Sequence, residues 1–191
     1  FGDDGNGELH LTVWDAIGQT SYTRDLGVRM DDFLEDEALG STGVVTANGY
    51  TQTWATDAVW TSWTAGMSAD QLANLVWDVT AQDDVGTTQA HQLRYLSTSV
   101  NEVQDNNTFK PSNSKISQFG NVGPNYTSAV NNLTPAPDNV DYAANVSTIA
   151  TAADGFAYFD TGNRGNDWGT AASPFFTTGL IGSAMNFFYI T

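Results

Sequence analysis

The stretch Gly7-Glu8-Leu9-His10-Leu11-Thr12-Val13-Trp14-Asp15 constrains the fold of this chain more than any other. Leu9, Leu11 and Val13 fall on one side of an extended backbone, and Glu8, His10, Thr12 and Trp14 fall on the other. A period of two kept over seven residues is the pattern of a strand with one apolar face. Six polar, glycine-rich residues, Phe1 to Asn6, precede it. A strand on such a leader has two options: it completes its own sheet, or it completes that of a neighbouring copy, with Leu9, Leu11 and Val13 setting the register in the acceptor.

Other segments extend the β reading. Ser21 to Gly27 is rich in strand formers and forms a hairpin with the first strand across Ile17-Gly18-Gln19-Thr20. Asn48-Gly49 between Val44-Val45-Thr46 and Tyr50 to Trp54 predicts a second hairpin. Leu75, Trp77, Val79 and Ala81 alternate with Val76, Asp78, Thr80 and Gln82, and Gln92 to Ser97 is the expected partner strand. Gly155 to Asp160 and Met185 to Thr191 complete the set. Short helical turns are expected at Met30 to Leu34, at Ser68 to Asn74 with Ser68 as N-cap, and at Tyr126 to Leu133. Residues 101–140 lose periodicity and read as a long irregular connection crossing the sheet. The expectation is one all-β domain over 1–191, a β-sandwich or jelly-roll-like unit with an N-terminal arm over 1–15.

Charge and composition narrow the function. With 22 acidic and 6 basic residues the chain carries −16. A surface that must neutralise phosphates needs the opposite balance, so nucleic acid and anionic membranes are excluded as expected partners. The chain has no cysteine, hence no disulfide framework, thiolate metal site or cysteine nucleophile. No run of 18 apolar residues predicts a membrane span. Charged residues make up only 15%, so Thr, Ser, Asn and Gln supply much of the polar surface, a composition common in secreted β-proteins.

Catalytic motifs are sparse. His10 and His91 form no paired-histidine motif, and neither a Gly-x-Ser-x-Gly elbow nor a phosphate-binding glycine loop is present. Trp54, Trp60 and Trp63 gather around Asp57. That cluster suits either stacking on sugar rings or a carboxylate centre for glycoside hydrolysis, and equally the packing of a core. Asp160, Asn163, Asn166 and Asp167 bring oxygen ligands together in a glycine-rich loop, a pattern compatible with Ca²⁺ and with an ordinary turn cluster. Sequons at Asn106, Asn125, Asn132 and Asn145 make glycan attachment chemically feasible.

Taken together, Gly7 to Asp15, Ser21 to Gly27, Met30 to Leu34, Trp77 to Asp83 and Gly182 to Tyr189 resemble secreted proteins of Gram-negative bacteria that carry a Pro-Glu-Pro sorting tail, the substrates of exosortases. The tail itself, a Val-Pro-Glu-Pro run with a hydrophobic helix, is not in this chain. The resemblance implies export to the cell surface or extracellular matrix, often beside exopolysaccharide, and implies no catalytic set. The expected function is therefore that of an extracellular structural protein, not an enzyme: a filament or biofilm-matrix subunit forming a homo-polymer through its N-terminal strand. A carbohydrate-binding matrix protein using the tryptophan cluster is the alternative.

Overall fold

The computed structural model describes residues 7–34, 43–45, 51–83, 94–99, 126–133, 147–159 and 178–190. Its strands are β1 (Glu8–Asp15), β2 (Thr20–Arg29), β3 (Gly43–Val45), β4 (Val76–Asp83), β5 (Arg94–Ser99), β6 (Ser147–Thr151), β7 (Gly179–Leu180) and β8 (Asn186–Ile190). Short helices are α1 (Met30–Phe33), α2 (Ala58–Ala65) and α3 (Ala69–Ala73), together with a helical segment over 126–133 and a 3-10 turn at Ala152–Ala157. The protein is all-β, as expected. The described strands form one antiparallel sheet in the order β3-β8-β5-β4-β1-β2-β6, with β7 paired to the start of β4.

β1 lies inside this sheet, paired to β2 on one side and to β4 on the other. Its start is fixed by Gly7, whose backbone lies so close to β4 that an added Cβ would sit 2.0 Å from the Gln82 carbonyl oxygen. The Gly7 carbonyl accepts from Met30 N–H at 2.8 Å, tying α1 to the same corner. The other end is closed by a turn in which Asp15 Oδ1 accepts from Ile17 N–H (3.0 Å) and Gly18 N–H (2.9 Å). Asp15 Oδ2 accepts from Gln71 Nε2 at 2.7 Å, which brings α3 against that turn. Gln19 completes it at φ 52°, a left-handed conformation costing a residue with a Cβ about 1 kcal/mol.

The sheet has two unlike faces. Leu9, Leu26, Val79, Ala81, Leu96 and Tyr189 form an apolar layer capped by Met30, Phe33 and Leu34 of the α1 corner. Next to it Val13, Tyr22 and Leu75 pack beneath α2. The register between β1 and β2 shifts around Gly27, at φ 64°, while Leu26 and Val28, two residues apart, both face the core. The opposite face carries Thr12, Thr23, Asp78, Thr80 and Ser97, all buried. Thr12 and its neighbour Val13 are both 0% exposed, so β1 is covered on both faces. At one end of the polar face Tyr126 and Val130 of segment 126–133, with Ala157, Tyr158 and Phe159, form a second apolar cluster against Trp14 and Ala150.

Between β4, β5 and α1 lies a charge cluster in which Arg94 and Asp83 are buried and Asp31 is exposed. Arg94 donates from Nε and Nη2 to Asp83 Oδ2 (3.1 and 2.7 Å) and from Nη1 to Asp31. Burial works against the guanidinium charge, but the two carboxylates outweigh it and hold Arg94 more firmly protonated than usual.

Two expected elements are corrected. The hairpin across Asn48-Gly49 is not formed as predicted: residues 51–57 are not strand, and β3 pairs instead with β8, Val44 opposite Phe188. The 54–55 segment is held by Trp54 Nε1 donating to the Leu26 carbonyl (3.0 Å) and by Arg24 Nη1 donating to the Ala55 carbonyl (2.6 Å). The aromatic run from Gly155 is also not a strand. A capping box between Thr151 and Asp154, followed by Gly155 at φ 59°, turns the chain so that Ala157, Tyr158 and Phe159 plug the sheet face. The strand in that region is β6, just upstream.

Candidate functional site

The tryptophan cluster forms, but its polar groups are directed at the protein. Asp57 is the N-cap of α2: its Oδ1 accepts from Trp60 N–H at 2.8 Å, and its Oδ2 accepts from Tyr22 O–H at 2.7 Å. Trp60 meets Tyr22 edge-on at 5.2 Å, and Trp63 stacks on the same ring at 5.9 Å with an interplanar angle of 16°. Trp63 Nε1 donates to Thr20 Oγ1 at 2.9 Å. Trp54 is set apart, packed against the other apolar cluster. Burial raises the Asp57 pKa, but the bonds from Trp60, Tyr22 and Ser147 and the charge of Arg24 outweigh it, leaving the carboxyl below its ordinary value. Burial, then the adjoining carboxylate, pushes the Tyr22 phenol well above its ordinary value. In this arrangement Asp57 acts as an acceptor, charged at neutral pH, that pins α2 to β2 and β6.

One side of α2 remains open. Ala58, Val59, Ser62 and Trp63, with Ile149 of β6, line a shallow groove of about 520 Å³. It runs along β6, the outermost of the described strands at that end of the sheet.

Leu9, Leu11 and Val13 occupy the slot between β2 and β4. Leu9 and Val13 are buried in separate apolar clusters, and Leu11 packs against both. Around the β1–β2 turn, at one end of the strands, stand four of the largest exposed apolar side chains. They are Ile17 in the turn, Leu72 in α3 beside Gln71, and Leu180 and Ile181 in the β7 turn, each between 42% and 53% exposed. Leu180 pairs with Val76, and Ile181 N–H donates to the Leu75 carbonyl at 2.9 Å, so β7 sits at the same end as α3. Periodicity could not group these residues, because they come from three separate turns.

Alternation assigns His10 and Thr12 to the polar face of β1, but its cover, segment 126–133, is not legible in the sequence. Tyr126 O–H lies 2.5 Å from Thr23 Oγ1 and 3.3 Å from Thr12 Oγ1, and His10 Nε2 lies 3.0 Å from Thr80 Oγ1. The His10 and Tyr126 rings are 5.7 Å apart. This network ties segment 126–133 to the strand and assembles no metal-binding group: among the described residues no cluster of three or more His, Asp or Glu side chains could hold an ion. The visible signal was the run of threonines at polar positions, which a solvent-facing strand has less need of than charged residues. Asp160, Asn163, Asn166 and Asp167, the expected Ca²⁺ ligands, and the sequons at Asn106, Asn125 and Asn145 lie outside the described residues.

No described helix is long and apolar enough to cross a membrane. Comparison with protein-family models, with characterised proteins and with solved structures found no match to this chain.

Proposed function

We propose that the chain is an extracellular structural protein that self-assembles by exchanging its first strand, β1 of one copy filling the slot between β2 and β4 of another. The observation that carries this reading is the position of β1. It is the first described strand, yet it sits in the interior of the sheet and supplies core residues to two clusters. The slot between β2 and β4 can take the same strand from a second copy, with Leu9, Leu11 and Val13 keeping their places. The acidic, cysteine-free, Thr- and Asn-rich composition and the resemblance to exported matrix proteins support an extracellular setting.

Geometry decides what kind of assembly exchange would make. Four residues, Ala16 to Gln19, join β1 to β2, a reach of only about 14 Å when extended. A donated strand enters at the turn end of the acceptor, which is also the end where the acceptor's own β1 leaves. Donor and acceptor surfaces therefore share one end of the molecule, and the contact closes on itself as a twofold pair rather than running on as a head-to-tail fibre. Pairing within one chain has the advantage of proximity, an effective concentration on the order of mM. Two features oppose that advantage: opening the turn relieves the left-handed Gln19, and closing the pair covers Ile17, Leu72, Leu180 and Ile181.

A double cysteine variant tests it. Ala152 N–H donates to the Gln19 carbonyl, so the backbone groups of Ser21 and Thr23 face β6 and those of Thr20, Tyr22 and Arg24 face β1. Thr12 and Thr23 are consequently a non-hydrogen-bonded pair, the closer type. Thr12→Cys with Thr23→Cys should oxidise to disulfide-linked dimers on a non-reducing gel. A bond formed only within single chains, at every protein concentration, sinks the proposal.

A further inference from the structure

Exchange of β1 yields closed pairs, so growth beyond a pair requires a second joint. We infer that the outer edge of β6 is that joint and that its occupant is β6 of a second copy, antiparallel and related by a twofold axis through Thr148. The inference rests on the assembly reading above for its purpose, but not for its geometry.

Among the described residues β6 is the end strand of the sheet. Because Ala152 N–H bonds inward to Gln19, the register assigns Thr148 and Ala150 as the residues whose N–H and C=O groups pair with β2. The backbone groups of Ser147, Ile149 and Thr151 point outward. Thr151 N–H is already taken: Asp154 Oδ2 accepts from it at 2.7 Å and from Thr151 Oγ1 at 2.8 Å. Among the described residues, the edge left for pairing is therefore that of Ser147 and Ile149, and its carboxyl end is stopped by a carboxylate. Natural edges are usually blunted by charge, proline or a bulge. Ser147-Thr148-Ile149-Ala150-Thr151 has none of these.

Only one antiparallel self-pairing uses both open residues and leaves Asp154 in place. It sets Ser147 of each copy opposite Ile149 of the other, with four backbone hydrogen bonds, and Thr148 opposite Thr148. In that register both Ile149 side chains lie on the α2 face, beside the groove lined by Val59, Ser62 and Trp63. A second copy is favoured over a charged peptide because the strand offers no charge to recognise. For two molecules of −16 each, an uncharged strip is also where approach costs least. Pairs closed by β1 and linked by β6 alternate two different twofold joints, which extends the assembly beyond a pair wherever the two axes do not meet.

Since the chain has no cysteine, any disulfide in a single-cysteine variant joins two molecules. Thr148→Cys places two thiols across a non-hydrogen-bonded pair, where Cα atoms are about 4.5 Å apart, within the range a disulfide needs. Mild oxidation should link this variant several-fold faster than Ile149→Cys, whose partner in the pairing is Ser147. In the wild type, exchange of the Ile149 and Ser147 amide hydrogens should slow as concentration rises, and Ile149→Lys should abolish that slowing. Equal crosslinking of the two cysteine variants, or amide exchange independent of concentration, overturns the inference. Neither readout involves Thr12 or Thr23, so loss of the β6 joint and loss of β1 exchange are told apart.

Discussion

Asp25 shows how a single buried carboxylate acts on this fold. Burial pushes its pKa above the ordinary value, and the bond from Gly27 N–H to Oδ1, at 2.7 Å, only partly offsets that. A folded-state pKa above the unfolded one means that the folded protein binds the proton more tightly. The charge therefore costs stability at neutral pH, and the cost fades as pH falls through the folded pKa toward the unfolded value of about 4. Asparagine keeps the acceptor that holds the bulge and removes the charge. Asp25→Asn should raise the urea midpoint at pH 7, and the gap to wild type should close on acidification toward pH of about 4. A variant no more stable than wild type at neutral pH would show that the buried charge is compensated.

At the scale of elements, β1 is held by its ends as much as by its middle. An alanine at position 7 would drive its Cβ into the Gln82 backbone, which cannot rotate away as a side chain can. The strand would have to lift from β4 and from the Met30 N–H it anchors. Gly7→Ala should cost about 2 kcal/mol or more in denaturant unfolding, a magnitude typical of overpacking, whereas Gly66→Ala, with open space around it, should cost little. Elements whose signal lies in their own residues were legible in the sequence. β1 announces itself by alternation, β4 by Leu75, Trp77, Val79 and Ala81, and α3 by Ser68, whose capping box with Gln71 is formed. Elements decided by distant partners were not. Val44 and Val45 were assigned to a local hairpin because Asn48-Gly49 follows them, yet their partner is β8, some 140 residues on. β6 is spelled with small residues that carry little hydrophobic contrast, and the aromatic run after it drew the strand assignment away. The tryptophan site was half legible: the grouping of Trp60 and Trp63 near Asp57 is real, but only the cap bond to Trp60 N–H and the Tyr22 hydroxyl reveal which way it faces.

For the whole molecule, the governing quantity is a charge of −16 on 191 residues. Repulsion of that size opposes every contact between copies and is screened within about 10 Å at an ionic strength of about 0.1 M. Association should therefore strengthen as salt rises from about 0.01 M to about 0.15 M, with the sedimentation coefficient increasing at fixed protein concentration. Association that weakens with added salt would instead point to ion pairs at the joints.

The order of the sheet also bears on when this protein can finish folding. Among the described strands β3 has no neighbour but β8, and β5 has only β4 on its other side until β8 arrives. The ladder between Gly43 and Tyr189 closes a loop of most of the chain, a high contact order that slows folding to the range of milliseconds to seconds. Until β8 is delivered, β3 has no described strand to pair with, and the outer edge of β5 stays open to any other strand that meets it.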